Sequence, residues 1–190
     1  MSMGYLLPAE SAPVAWRGLM VMKALQQLLH QVDWSPDLEV LVLDLPPGTG
    51  DVQLSIGQEL QVDGAVIVST PQDIALKDAV KGIHMFEKMN IPVLGMVENM
   101  SMFICPKCGE KTQIFSHTDH SQGSGGLQSK CKELEVSYLG EVPLDAKICQ
   151  DADAGKPTIV SEEMTGEKVR TVYFEAVALQ IARQLELGWK

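Results

Sequence analysis

Two short stretches of the chain hold residue types that chemistry uses. The first is Cys105-Pro106-Lys107-Cys108-Gly109. Two cysteines separated by two residues can place both thiolates on one metal, and Pro106 and Gly109 tighten the turn between them. Two ligands leave a tetrahedral or cluster site half filled, and the chain holds no second CxxC. The simplest completion is a second copy of the same loop across a two-fold axis. That gives four thiolates, the usual complement of a 4Fe-4S cluster. Zinc completed by His117 and His120 is a rival, at a spacing shorter than the usual finger and with a tight His-x-x-His. A redox-active dithiol is another, although this loop does not open a helix in a thioredoxin-like setting. Cys131 and Cys149 stand at no ligand spacing and read as small buried hydrophobes.

The second stretch is Leu41-Val42-Leu43-Asp44-Leu45-Pro46-Pro47-Gly48-Thr49-Gly50-Asp51. The apolar run Val40–Leu43 reads as a strand buried on both faces, and it ends on a carboxylate, Asp44. Two prolines and two glycines then force a constrained loop with few free donors. In open α/β sheets, ligands bind outside the carboxyl ends of the strands. An acid placed there is what ordering the water shell of a Mg²⁺ ion beside a phosphate needs; an ordinary Asp-Pro-Pro turn ending a buried strand is the alternative. Asp51 is either a second carboxylate at that site or the opening residue of the next helix, and Asp44 and Asp51 are the candidate catalytic acids.

The elements that would position these residues alternate. Leu19–Val32 is apolar at helical spacing (Leu19, Met22, Leu25, Leu28, Leu29, Val32), and Leu38–Asp44 is the expected central strand. Val52–Leu60 reads as a short helix, Asp63–Ser69 as a second buried strand, and Pro71–Met89 as a long helix capped by Thr70. Asp73 is suited to that helix start. Ile91–Glu98 is a third strand; Asn99 stands at its carboxyl end, where a turn-forming role is the alternative to ligand binding. Ser101–Gly126 is polar, rich in glycine and serine, and carries the CxxC as an insertion loop. Leu127–Leu134 (helix), Val136–Val142 (strand), Asp145–Ala154 (helix), Lys156–Glu163 (loop) and Gly166–Leu185 (helix) complete a single domain over residues 1–190. Strands alternating with helices imply an α/β fold, a mostly parallel sheet covered on both faces.

Bulk composition narrows the classes. Acidic residues outnumber basic ones 25 to 15, a formal charge of −10, which argues against a nucleic-acid surface. No apolar run is long enough to span a bilayer, so no transmembrane segment is expected. No targeting peptide is visible at Met1-Ser2-Met3-Gly4-Tyr5.

The octet from Asp44 to Asp51, with Thr70-Pro71-Gln72-Asp73, Val97-Glu98-Asn99-Met100-Ser101 and Cys105-Pro106-Lys107-Cys108, resembles the Mrp-type P-loop ATPases that carry iron–sulfur clusters. Within that family it looks most similar to the mitochondrial NUBPL-like proteins that serve respiratory complex I. The resemblance runs from about Met1 to the C-terminal helix. It makes Asp44 a Walker B acid, Gly48 and Thr49 part of the switch II loop, Asn99 the reader of adenine, and Cys105 and Cys108 cluster ligands. It implies ATP with Mg²⁺ and a 4Fe-4S cluster as cofactors, a homodimer through the CxxC loop, and apo iron–sulfur proteins (complex I subunits) as partners. The resemblance implies the mitochondrial matrix, or alternatively the cytoplasm, as the compartment. No G-x-x-x-x-G-K-S/T stretch occurs in the chain. It therefore reads as the C-terminal two-thirds of such a protein, truncated at the N-terminus, with the intact protein as the ATPase. Family members place a Gly-Gly motif soon after the Ile-Phe of the loop; here Ser116–His120 intervenes after Ile114-Phe115, a departure from the family pattern, and no residue role is carried over between Ser116 and Lys130. A septum-positioning-type regulatory ATPase and a zinc-stabilised interaction module remain the alternatives.

Overall fold

The computed structural model describes residues 1–2, 19–115 and 126–189, without the side chain of Leu19. The two histidines of the zinc alternative, His117 and His120, lie outside the described residues. The chain divides into two compact units, Met1–Ile56 and Gly57–Lys190.

In the first unit, α1 (Leu19–His30) forms where the sequence spaces its leucines and methionines three and four apart, and it buries Ala24. The Trp34 indole donates to the Leu29 carbonyl at 3.4 Å, closing the chain back on the end of the helix. The next element is α2 (Asp51–Glu59), which opens on the carboxylate of Asp51 and buries Gln53 and Ile56. The Ser55 hydroxyl meets the Met22 sulfur of α1 at 3.9 Å.

The strand expected over Leu38–Asp44 does not form. Leu38, Leu41 and Val42 are exposed, Val42 by 81%. An apolar run reports the wish to be buried; a strand also needs a neighbour for its N–H and C=O groups. No described residue supplies that ladder.

The second unit carries the sheet. Its elements are β1 (Ala65–Ser69), α3 (Asp73–Lys88), β2 (Val93–Ile104), β3 (Lys111–Thr112), α4 (Leu127–Glu133), β4 (Tyr138–Leu144), α5 (Ala146–Asp153), α6 (Thr158–Thr165) and α7 (Thr171–Gln184). β2 is central: β1 and β4 flank it in parallel, Ile67 opposite Met96 and Asn99 opposite Val142. β3 pairs antiparallel with its far end, Ile104 opposite Lys111. Successive residues of β2 face opposite layers, as the period of two requires. Met96 enters a core with Ile67, Leu76, Ala79, Ile83, Leu127 and Cys131, beneath α3 and α4. Val97 enters the other core with Leu139 and Val142, covered by Phe174, Val177 and Ile181 of α7. The α/β class, with a mostly parallel sheet covered on both faces, is what the structure shows.

Three local expectations need correction. Thr70 does not cap α3; Gln72 holds the cap position in extended geometry, and Pro71 lies in the preceding turn. Asp73 does open that helix, where the dipole favours a carboxylate. The segment expected as loop over Lys156–Glu163 is mostly α6, closed by Gly166 at φ 75°. Its Thr158-Ile159-Val160 start is poor in helix formers, so propensity hid it. Cys149 is exposed, against expectation, whereas Cys131 is buried as expected. Burial pushes the Cys131 thiol up, helped by the Glu98 carboxylate.

Candidate functional site

The CxxC sits at the tip of a β-hairpin. β2 runs without interruption to Ile104, and Cys105 follows directly. The turn is closed by two backbone bonds: Cys105 N–H to the Glu110 carbonyl at 2.9 Å, and Gly109 N–H to the Cys105 carbonyl at 2.8 Å. Gly109 sits at φ 73°, a conformation that strains any residue with a Cβ, which is the reason for glycine here. The Cys105 thiol is held below its ordinary range, chiefly by the neighbouring backbone amides of Cys108 and Lys107 and then by the Cys108 thiol. That favours the thiolate, the form in which a cysteine binds metal. Two cysteines at one turn offer the thiolates that a soft metal centre prefers. Among the described residues no third metal-ligating side chain joins them.

The switch-like loop after Asp44 is organised by a residue that sequence reading passed over. Gln53, 3% exposed, donates from its side-chain amide to the carbonyls of Pro46 at 2.7 Å and Gly48 at 3.0 Å. Its side-chain oxygen accepts the Gly50 N–H at 3.1 Å. One buried amide thus fixes three points of Pro46–Gly50. The signal was present: Gly50 at the helix cap and Gln53 three residues on is the reciprocal half of a capping box. Gly48 takes φ 96°, which the loop needs for its reversal. Asp44 and Thr49 are exposed, and Asp51 lies exposed in the first turn of α2. Asp51 is thus a helix-opening residue in position, whatever else it does.

Asn99 lies in β2 at the level where β1 ends, since Ser69 faces Glu98. Its side-chain oxygen accepts the Met100 N–H at 3.0 Å, and Met100 takes φ 57°. The register with β4 breaks between Asn99 and Phe103, so a bulge stands between Asn99 and the hairpin. Asn99 lies in β2 and the CxxC follows that strand, both in the second unit; Asp44, Gly48, Thr49 and Asp51 belong to the first.

A parallel sheet sandwiched by helices, ending in candidate ligand residues at its carboxyl edge, defines a nucleotide-binding type of α/β protein. The comparisons with known proteins agree. The family described as "ParA: NUBPL iron-transfer P-loop NTPase" matches residues 1–182, and the chain belongs to that family. It is 50% identical over 186 residues to the iron-sulfur cluster transfer protein NUBPL of Mus musculus, covering 98% of this chain and 54% of the relative. An iron-sulfur cluster carrier protein of Salmonella typhimurium is 49% identical over 184 residues, covering 97% and 47%. An Arabidopsis thaliana iron-sulfur protein required for NADH dehydrogenase, described as mitochondrial, is 50% identical over 161 residues, covering 85% and 49%. The chain therefore spans about half the length of the curated relatives it matches. A nucleotide-binding protein of Archaeoglobus fulgidus, solved with ADP and with cobalt found in it, superposes with a TM-score of 0.63 at 35% identity, covering 82% of this chain and 56% of the other. These relatives come from mitochondrial and bacterial settings alike, in keeping with the two compartments expected from sequence.

Proposed function

We propose that the protein carries a 4Fe-4S cluster between two copies of its CxxC hairpin and hands it to apo iron–sulfur proteins, with ATP binding as the switch. Cys105 and Cys108 hold the cargo. Asp44 orders the Mg²⁺ water shell, Gly48 and Thr49 belong to the loop that senses the nucleotide, Asp51 supports that loop from the helix start, and Asn99 reads adenine. The acceptors are subunits of respiratory complex I, and the compartment is the mitochondrial matrix, with the cytoplasm as the bacterial counterpart. ATP hydrolysis belongs to the same reading.

The observation that carries the proposal is the hairpin tip, a tight turn closed by two backbone bonds that presents Cys105 and Cys108 two residues apart. The similarity to an iron-sulfur cluster transfer protein in mouse and an iron-sulfur cluster carrier protein in Salmonella supports that choice of cargo. Anaerobic reconstitution followed by iron and sulfide analysis tests it. Wild type should hold about four iron per pair of chains. Cys105→Ala and Cys108→Ala should lose that capacity, while Cys131→Ala and Cys149→Ala should keep it. Stoichiometric zinc with no iron uptake, or loss on His117→Ala, would instead establish the zinc site.

A further inference from the structure

The two cysteines of the hairpin are not equivalent. Cys105 continues β2 and is bonded on both backbone sides, through its N–H to Glu110 and through its carbonyl to Gly109. Its side chain is half-buried. Cys108 lies at the turn itself and is exposed, as are Pro106, Lys107, Gly109 and Glu110 around it. Outer-shell hydrogen bonds that hold a ligand residue in place commonly matter about 10–100-fold to metal affinity. A ligand exposed at a turn is also the one that an incoming protein can reach.

We infer that Cys105 is the retaining ligand and Cys108 the release ligand, the position at which an acceptor's thiol first replaces a ligand of this chain. The inference rests on the reading of the CxxC as a cluster-binding pair. The exchange needs no oxidant or reductant. A bond from iron to the acceptor sulfur forms as the bond from iron to Cys108 Sγ breaks, and the acceptor's thiol proton passes to the freed Cys108 sulfur. Cys105 leaves second, after the acceptor has taken hold.

The test uses the full chain, reconstituted anaerobically with ferrous iron and sulfide, as wild type, Cys105→Ser and Cys108→Ser. Serine keeps an oxygen donor of similar size, and both changes lie on a hairpin tip outside the cores. Cys108→Ser should load and then lose iron to a chelator faster than wild type. Cys105→Ser should retain about tenfold less iron than Cys108→Ser. A second readout needs no variant. A limiting pulse of iodoacetamide on loaded wild type should label Cys108 several-fold ahead of Cys105, and trypsin separates the two by cutting after Lys107. Equal loss in both variants with equal labelling, or the reverse order, would overturn the inference while leaving the cluster reading intact. Wild type that takes up no iron and sulfide would bring down the cluster reading itself, and the order of the cysteines with it.

Discussion

Glu162 ties three helices together. It is 1% exposed, and its carboxylate accepts the backbone N–H groups of Val169, Arg170 and Thr171 at 2.9–3.1 Å. Arg170 bonds it through Nη1 at 3.1 Å and reaches Asp145 through Nε at 2.8 Å. Asp145 in turn caps α5 by accepting the Lys147 N–H at 2.7 Å. Burial alone would raise the Glu162 carboxyl; the Thr171 and Arg170 donors outweigh it and hold the group at about 2, against an ordinary 4.5. Because the folded value is depressed, its contribution is fully present above about pH 4.5 and is lost as pH falls toward 2. Glu162→Ala should cost on the order of 3 kcal/mol at neutral pH, since it leaves buried donors without an acceptor. Glu162→Gln should lose less and show a shallower decline between pH 4.5 and 2 than wild type. Thermal melts across that range measure both, and superimposable acid limbs for Gln and wild type would remove Glu162 from the acid response.

At the scale of elements, the Pro46–Gly50 loop depends on Gln53 more than on its own prolines. Gln53→Ala deletes three hydrogen bonds from a buried position, each worth about 1 kcal/mol. The Gly50 amide should then exchange with solvent about tenfold faster or more. Unchanged exchange at Gly50 would mean that the loop is held by something else. The same elements show what sequence makes legible. β1, β2 and β4 announced themselves because strands buried on both faces are continuous apolar runs, and α3 and α7 because their apolar residues recur at helical spacing. What failed was of another kind. Leu38–Asp44 had the hydrophobicity of a strand without a paired neighbour, and α6 is held by Glu162 and by Ser161, whose hydroxyl bonds Asp151 at 3.1 Å. Both depend on contacts distant in sequence, which periodicity does not report. At the candidate site, the cysteines were legible from spacing alone. The hairpin was not, because Ser101–Ile104 opens directly into a polar, Gly- and Ser-rich stretch and reads as part of that loop until its β3 and β4 partners are known.

At the scale of the whole molecule, the nucleotide reading is divided between two units. Phosphate binding draws on oriented backbone amides at a helix N-terminus and on a lysine, and the 190 residues contain no G-x-x-x-x-G-K-S/T stretch. Calorimetric titration of this chain with Mg-ATP should therefore show very weak binding and no turnover. A chain extended at its N-terminus by a segment bearing such a stretch should bind well, and Asp44→Asn in that longer protein should weaken the Mg²⁺-dependent part. Equal affinity for the short and long chains would place the phosphates elsewhere. The CxxC turn is different: β2 and β3 flank it within the second unit, and the backbone bonds that close it involve no residue of the first.

The central claim is that two half-sites share one cluster. Native mass spectrometry of the anaerobically reconstituted chain tests it most directly. The account predicts a species of two chains plus about four iron and four sulfide, which collapses to single chains when Cys105 is replaced by alanine. A single chain carrying one zinc ion, or a dimer that persists unchanged without metal while no iron species appears, would contradict it.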